Sequence, residues 1–225
     1  YDDLISTLLT TPQKDGTFMD DATIVNMFTG LLFAGHETTA GQAAWLITLL
    51  LQHPAYLTLV KAEIEAHISA DTRIDENTLR NLKNIYYAID ETTRMRPSAD
   101  LQMRTVNQDF SIGDYTLPQG WRVIVNATNS HFLDDVFTNP YQFDPLRWSP
   151  ERGEGKNPFA IVGFGGGLHK CSGMNFARNE MAIITARLLS QFTLALISDD
   201  IKVVQGNGAN HPSAVKVRYL RIEQQ

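Results

Sequence analysis

Apolar residues recur at Ile24, Met27, Phe28, Leu31 and Leu32, and again at Trp45, Leu46, Leu49 and Leu50, a spacing that repeats along one helix over many turns. Asp20-Asp21 ahead of the run is an N-cap signature, so one helix is predicted from there to about Gln52. At 1.5 Å per residue its length would be roughly 45–50 Å. Apolar positions occupy most of its circumference, which predicts a central helix. His53-Pro54 ends it, and Pro54 opens the next helix, Ala55 to Ile68. A polar stretch, Ser69 to Asn77, precedes a third helix from about Asn84 to Met95, which Pro97 stops.

The period then shortens. Gln102–Val106, Phe110–Ile112, Tyr115–Leu117 and Trp121–Val125 are short β-type runs, split by Asn107, Gly113-Asp114 and Pro118-Gln119-Gly120. From Asn126 to Gly163 the chain is rich in Pro, Asp, Asn and Gly and predicts a long irregular segment. Met174, Ala177, Met181, Ile184 and Leu188 then describe a helix with one inward face. Phe192–Ile197 and Ala214–Ile222 read as closing strands around the loop Gly206 to Asn210. The predicted fold class is mainly α with small β-sheets.

Composition narrows this picture. With 225 residues, 43% of them hydrophobic, the chain can bury a real core as one large domain or a small pair. Charged residues are 20% of the chain, interspersed, with a formal net charge of −6, so no nucleic-acid footprint is present. Tyr1-Asp2-Asp3 is acidic where a signal peptide would be basic. The longest apolar stretch is broken by Gly35-His36-Glu37-Thr38-Thr39 and Gln42, which argues against a lipid-spanning helix. The chain opens on what reads as the middle of a helix and is taken as a possible fragment. One cysteine suits a reducing compartment.

That cysteine is the focus of the candidate chemistry. Cys171 ends Phe164-Gly165-Gly166-Gly167-Leu168-His169-Lys170-Cys171-Ser172-Gly173, a glycine-rich loop leading into a helix. One sulfur and one nearby histidine are too few ligands for structural zinc, and a lone cysteine has no intramolecular disulfide partner. A single thiolate can hold an iron porphyrin, whose macrocycle supplies the four in-plane donors. Glycines permit close backbone approach, and a following helix start adds positive potential that favours anionic sulfur. The alternative is a structural, unreactive cysteine.

The centre of the long helix, Ala34-Gly35-His36-Glu37-Thr38-Thr39, is poor in helix formers: Gly35 costs about 1 kcal/mol relative to alanine. Thr38 and Thr39 can each turn a hydroxyl onto the carbonyl four residues back, predicting a polar dent in an apolar helix. A carboxylate beside a hydroxyl suits proton delivery; a small-residue crossing point for another helix is the competing reading. Glu91-Thr92-Thr93-Arg94 places an acid and a guanidinium one turn apart. If exposed the pair means little; if partly buried it needs further partners, and Arg147 in Phe143-Asp144-Pro145-Leu146-Arg147-Trp148 is a candidate. No phosphate-binding Gly-x-x-x-x-Gly-Lys, dinucleotide Gly-x-Gly-x-x-Gly or Gly-x-Ser-x-Gly elbow is present. His53, His67, His131 and His211 are scattered and read as surface or satisfied core histidines.

In order, Ala34-Gly35-His36-Glu37-Thr38-Thr39, Glu91-x-x-Arg94, Phe143-x-Pro145-x-Arg147-Trp148 and Phe164-Gly165-Gly166-Gly167-x-His169-x-Cys171-x-Gly173 resemble the cytochrome P-450 heme-thiolate monooxygenases. The resemblance covers essentially all 225 residues and the C-terminal half or so of a complete member, so residues 1–225 are expected to be the C-terminal heme-binding half of such a domain. It implies Cys171 as proximal iron ligand of heme b (iron protoporphyrin IX), with Phe164, Gly165 and Gly173 around the sulfur. It further implies Glu37 and Thr38 as the distal acid–alcohol pair, and Ala34 and Gly35 lining the oxygen groove. His169 and Arg104 would contact the heme propionates, while Glu91, Arg94 and Arg147 would form a structural triad that locks the irregular segment. Substrate contacts would come from Phe28 to Ala34, Ser98 to Met103 and the loop near Asn207 to His211.

The activity so implied uses O2 and two electrons from NAD(P)H, passed through a redox partner (ferredoxin or flavoprotein reductase), to hydroxylate a hydrophobic small molecule. His169-Lys170-Cys171 and Met103-Arg104 look similar to sterol demethylases, whereas Glu37 departs from that subfamily, which commonly has histidine there. A cytoplasmic location, or the cytoplasmic face of a membrane, is expected. Two rival readings are a peroxide-using or isomerising heme-thiolate enzyme, against which the Glu37-Thr38 pair argues, and a non-catalytic fragment.

Overall fold

The computed structural model describes residues 3–69, 72–206 and 208–222. A short helix, α1 (Leu4–Thr10), precedes the long α2 (Asp21–Gln52), whose cap Asp20 accepts the Thr23 amide at 2.9 Å. At the other end of α2, His53 turns its Nδ1 onto the Leu49 carbonyl, and Pro54 begins α3 (Pro54–His67). A six-residue helix, α4 (Glu76–Asn81), lies in and beyond the segment read as polar, because the Asp75 side chain caps the Thr78 amide. Next comes α5 (Lys83–Met95). No side chain of its own caps α5. Glu63 of α3 does so instead, its carboxylate accepting the amides of Asn84 at 2.8 Å and Ile85 at 3.2 Å. Burial raises the Glu63 carboxyl above its ordinary range, against the pull of those amides.

Strands β1 (Leu101–Thr105) and β4 (Arg122–Asn126) pair antiparallel, with Met103 opposite Ile124. Between them β2 (Phe110–Ile112) and β3 (Tyr115–Leu117) form a hairpin at the predicted residues. The stretch from Asn126 to Gly163 is largely irregular. It contains only the one-turn α6 (Ala127–Ser130) and 3-10 turns at Pro145–Trp148 and Glu154–Lys156. Helix α7 (Met174–Gln191) leads into β5 (Phe192–Leu196), which pairs with β8 (Val217–Arg221). A further hairpin, β6 (Val203–Gln205) with β7 (Asn210–Pro212), flanks the loop that was read from the glycines.

The core is the meeting of four helices: Leu46 and Leu50 of α2, Val60 and Ile64 of α3, Ile85, Ala88 and Ile89 of α5, and Met181, Ala182, Ala186 and Leu189 of α7. The expectation that α2 is central along its length is corrected. From Asp21 to Thr38 only Ile24 is buried, and Leu32 and Phe33 are 73% and 77% exposed. An apolar circumference says that neighbours are wanted; it does not say where they lie. Here α3, α5 and α7 pack on the C-terminal part only. No single helix among the described residues is long and apolar enough to cross a membrane.

Candidate active site

The end of α5 organises the site. Glu91, Arg94 and Arg147 are all fully buried. The two oxygens of Glu91 accept Arg94 Nε at 2.9 Å and Nη2 at 2.8 Å, a two-pronged pairing that matches the planar fork of the guanidinium. Arg147 Nε reaches the same carboxylate at 3.1 Å, as do Trp148 Nε1 at 3.1 Å and the Asp144 amide at 2.9 Å. The open alternative of an exposed, idle pair is therefore closed. Arg94 also donates Nη1 to the carbonyls of His131 at 2.8 Å and Pro140 at 2.7 Å, so the irregular segment hangs on this arginine. The second buried positive charge is balanced by Glu154, which accepts Arg147 Nη1 at 2.5 Å. Glu154 and Asp144 in turn pair with Arg152. Glu154 and Arg152 had no signal in the sequence beyond their charges.

The cysteine loop follows. Gly163 lies so close to α5 that a Cβ there would meet Thr93 Cγ2 at 2.8 Å. Gly165 has φ +76°, and its Cβ would stand 2.6 Å from the His169 carbonyl oxygen, so both conformation and space demand glycine. The Cys171 amide donates to the Phe164 carbonyl at 2.7 Å, closing the loop, and Gly173 precedes the first turn of α7. Phe164 packs against the helical core. A Cβ on Gly173 would be 3.9 Å from Cys171 Sγ. Cys171 itself is exposed, so the sulfur is offered outward rather than packed as an inert core thiol. His169 is exposed beside it, and Arg104 on β1 bonds only the Met103 carbonyl at 2.8 Å and Gln102 Oε1 at 3.3 Å, with no carboxylate partner among the described residues.

On α2, Thr38 Oγ1 donates to the Ala34 carbonyl at 2.7 Å, as expected; Thr39 is buried and makes no such bond among the described residues. The predicted dent is corrected: α2 runs through this segment as an unbroken α-helix, the hydroxyl adding a bond to a carbonyl without interrupting the ladder. Gly35 faces open space, with nothing within 4 Å of a Cβ built on it. The close crossing is at Gly41, whose Cβ would meet the Asn210 carbonyl oxygen of β7 at 2.7 Å. Glu37 is exposed on a cleft of about 590 Å³ between α2 and the β6–β7 hairpin and makes no hydrogen bond or ion pair among the described residues.

Ser98, three residues past the end of α5, joins these parts. Ser98 Oγ donates to the Thr38 carbonyl at 3.2 Å, and the Ser98 carbonyl accepts the Asn210 amide at 2.8 Å. Thr93, against which Gly163 packs, donates to Gln42 Oε1 at 3.4 Å. The C-terminal end of α5 and the residues just beyond it therefore touch the start of the cysteine loop at Gly163 on one side and Thr38 of α2 on the other. Ser98 and Asn210, read as substrate contacts, serve here as anchors; Asn207 lies outside the described residues.

A mainly helical fold offers one accessible sulfur on a glycine loop, with an acid–alcohol pair on a long helix anchored to the same structural post. The chain belongs to the cytochrome P450 family, which it matches over residues 2–217. Beta-amyrin 11-oxidase of Glycyrrhiza uralensis is 32% identical over 89% of this chain and 41% of its own length. A sterol 14alpha-demethylase of Mycolicibacterium vanbaalenii is 30% identical over 84% of this chain and 42% of its own. The cytochrome P450DA heme domain superposes with a TM-score of 0.91 at 29% identity, covering 98% of this chain and 50% of that one. The chain thus spans about two fifths of the length of these curated relatives and half of that solved chain. The family implies heme and the use of dioxygen.

Proposed function

We propose that residues 1–225 are the C-terminal heme-binding half of a P450 monooxygenase. The observation that carries this reading is the exposed Cys171 thiol on a loop locked against α5, with Thr38 of α2 anchored to the same helix end through Ser98. The residues fit a heme. Gly165 leaves a backbone turn that no side chain could share, the thiol is open to a metal, and the Arg104 guanidinium and the exposed His169 ring have no carboxylate partner among the described residues. Cys171 would hold the iron, Arg104 and His169 the propionates by charge-assisted hydrogen bonds, and the Phe164 carbonyl the Cys171 amide.

When bound, the heme supplies dioxygen activation and oxygen-atom transfer to substrate. This chain's part is to place protons and exclude error. The Glu37 carboxylate takes protons from the cleft; Thr38 Oγ1, donating to Ala34 in the resting helix, keeps its lone pairs free to accept one. Gly35 leaves space beside them. The Glu91–Arg94–Arg147 triad holds the segment that backs the cysteine loop.

Electrons from NAD(P)H through a ferredoxin or flavoprotein reductase, and an apolar, sterol-like or other lipid-like substrate, complete the proposal. The substrate class draws on relatives whose names are oxidases of beta-amyrin and a demethylase of sterols. We place the protein in the cytoplasm or on the cytoplasmic face of a membrane. The deciding experiment is the reduced carbon-monoxide difference spectrum of the heme-loaded protein. The thiolate signature should be present in the native chain and lost in Cys171→Ser; a signature that survives the substitution overturns the assignment. If Thr38→Ala left turnover and its coupling to electron supply unchanged, a peroxide-using or isomerising enzyme would be the better reading.

A further inference from the structure

His131 is fully buried in the irregular segment, and every polar atom it carries is spoken for. Its carbonyl accepts Arg94 Nη1 at 2.8 Å, its ring Nδ1 lies 2.9 Å from the Arg94 carbonyl, and its ring Nε2 lies 2.9 Å from the Val162 amide. These partners fix the tautomer. The Val162 N–H can only donate, so Nε2 must accept; Nδ1 then carries the ring proton and donates to the Arg94 carbonyl. The ring is therefore a neutral bridge with one donor and one acceptor, from the last turn of α5 to the residue two before Phe164.

Val162 is gripped from both sides. Its amide donates to His131, and its carbonyl accepts Gln102 Nε2 at 2.7 Å and the Gly165 amide at 2.9 Å. The stretch from Val162 to Cys171 is tied at its start through both peptide groups of Val162, packs on α5 and the helical core through Gly163 and Phe164, and runs into α7 at its other end. Phe164, whose carbonyl takes the Cys171 amide, follows two residues later. We propose that His131 is a positioning residue for the thiol, setting where the Cys171 loop begins by tying Val162 to the Arg94 end of α5. Its effect on the loop stands on geometry alone, whereas its effect at an iron rests on the heme-binding reading above.

The test compares His131→Phe, which keeps a ring and loses both bonds, with His131→Gln, whose neutral amide retains a donor and an acceptor. Amide hydrogen exchange on the full 225-residue chain should show Val162 to Cys171 exchanging about tenfold faster in the Phe variant, the factor expected of one lost hydrogen bond. Amides within α2 and α7 should keep their protection. The Gln variant should recover protection of the loop. After heme loading, the share of the reduced carbon-monoxide complex with the thiolate signature should fall in Phe and return in Gln. A folded Phe variant whose loop exchanges at the native rate overturns the proposal, as does a loosened loop with an undiminished thiolate share. If His131→Phe does not fold, His131→Asn, too short to reach Val162, takes its place with the same two outcomes. Should the native chain take up no heme, the heme-binding reading fails, and the exchange result still decides whether His131 holds the loop.

Discussion

Gly208 passes so near Glu37 that a Cβ built on it would stand 3.0 Å from Glu37 Oε2. The carboxylate has no hydrogen-bond or ion-pair partner among the described residues, so nothing but the space left by Gly208 is in question when a methyl group is added there. The obstruction is soft, because the atom met is the free end of a flexible side chain. Gly208→Ala should therefore leave stability within about 0.5 kcal/mol of the native value, as for most exposed sites. It should also turn the carboxylate away from its present place. Under the proposed function, the expected outcome is more reduced dioxygen released as peroxide per substrate oxidised, with heme content unchanged. Equal coupling in native and variant protein would show that the hairpin does not set the acid.

Glu91→Ala should be severe. It strips Arg94 and Arg147 of their shared carboxylate while both stay fully buried. Leaving a buried charge without its partner costs about 3–5 kcal/mol. Glu154 can still pair with Arg147, whereas Arg94 has no other acidic partner among the described residues. A denaturant series should show the unfolding free energy falling by this amount or the chain failing to fold, and Glu91→Asp should fall between. A loss below about 1 kcal/mol, the range of exposed pairs, would contradict the burial described here.

Gly165→Ala tests the loop. The residue has φ +76°, where a Cβ costs about 1–2 kcal/mol, and that Cβ would meet the His169 carbonyl oxygen at 2.6 Å, a backbone atom that cannot swing aside. The loop must open by moving His169 and with it the path to Cys171. The expected result is a modest fall in unfolding midpoint and a larger loss of heme retention. Gly167→Ala is the control, since it shares a positive φ but its Cβ would meet nothing within 4 Å. Equal retention in both variants would remove the argument from crowding.

Parts of this fold are legible in the sequence because they are set by local chemistry. Asp20 caps α2 and Pro54 opens α3; the hairpin of β2 and β3 falls on its predicted residues because Gly113-Asp114 supplies the turn. Other parts depend on partners far along the chain. The exposure of Leu32 and Phe33 could not be read from periodicity, which reports a face and not its neighbour. Helix α4 is too short to show a period and owes its start to Asp75. Of the residues named from motif spacing, Glu91 and Arg94 sit at the end of α5 with Arg147 paired to Glu91, and Thr38 is tied to Ser98 just beyond it, but the residues that hold them have no signal in the motifs. His131 bonds backbone atoms 37 and 31 positions away, and no side-chain pattern encodes a backbone partner. Glu63 capping α5 from α3 is of the same kind.

The buried imidazole also makes stability depend on acid in a defined direction. Burial, with the adjacent Arg94 guanidinium adding to it, pushes His131 down to about 4 from an ordinary 6.5. The Arg94 carbonyl pulls the other way without reversing the shift. Because the folded value is the lower one, the unfolded chain binds the proton first as pH falls. The contribution of neutral His131 is complete above about pH 6.5, shrinks as pH drops toward 4 and is gone once the folded protein takes the proton as well. Over that window it amounts to about 3 kcal/mol, from the size of the shift at 1.36 kcal/mol per unit. Other groups titrate in the same range, so the quantity to measure is a difference. His131→Gln cannot bind the proton, and the stability of the native chain minus that of the variant should fall by this amount between pH 6.5 and 4. The same difference should hold level from pH 7 to 8. A difference that is constant across the acid range would mean that the ring is charged in the folded protein or open to water, and the bridge from Arg94 to Val162 would lose its neutral tautomer.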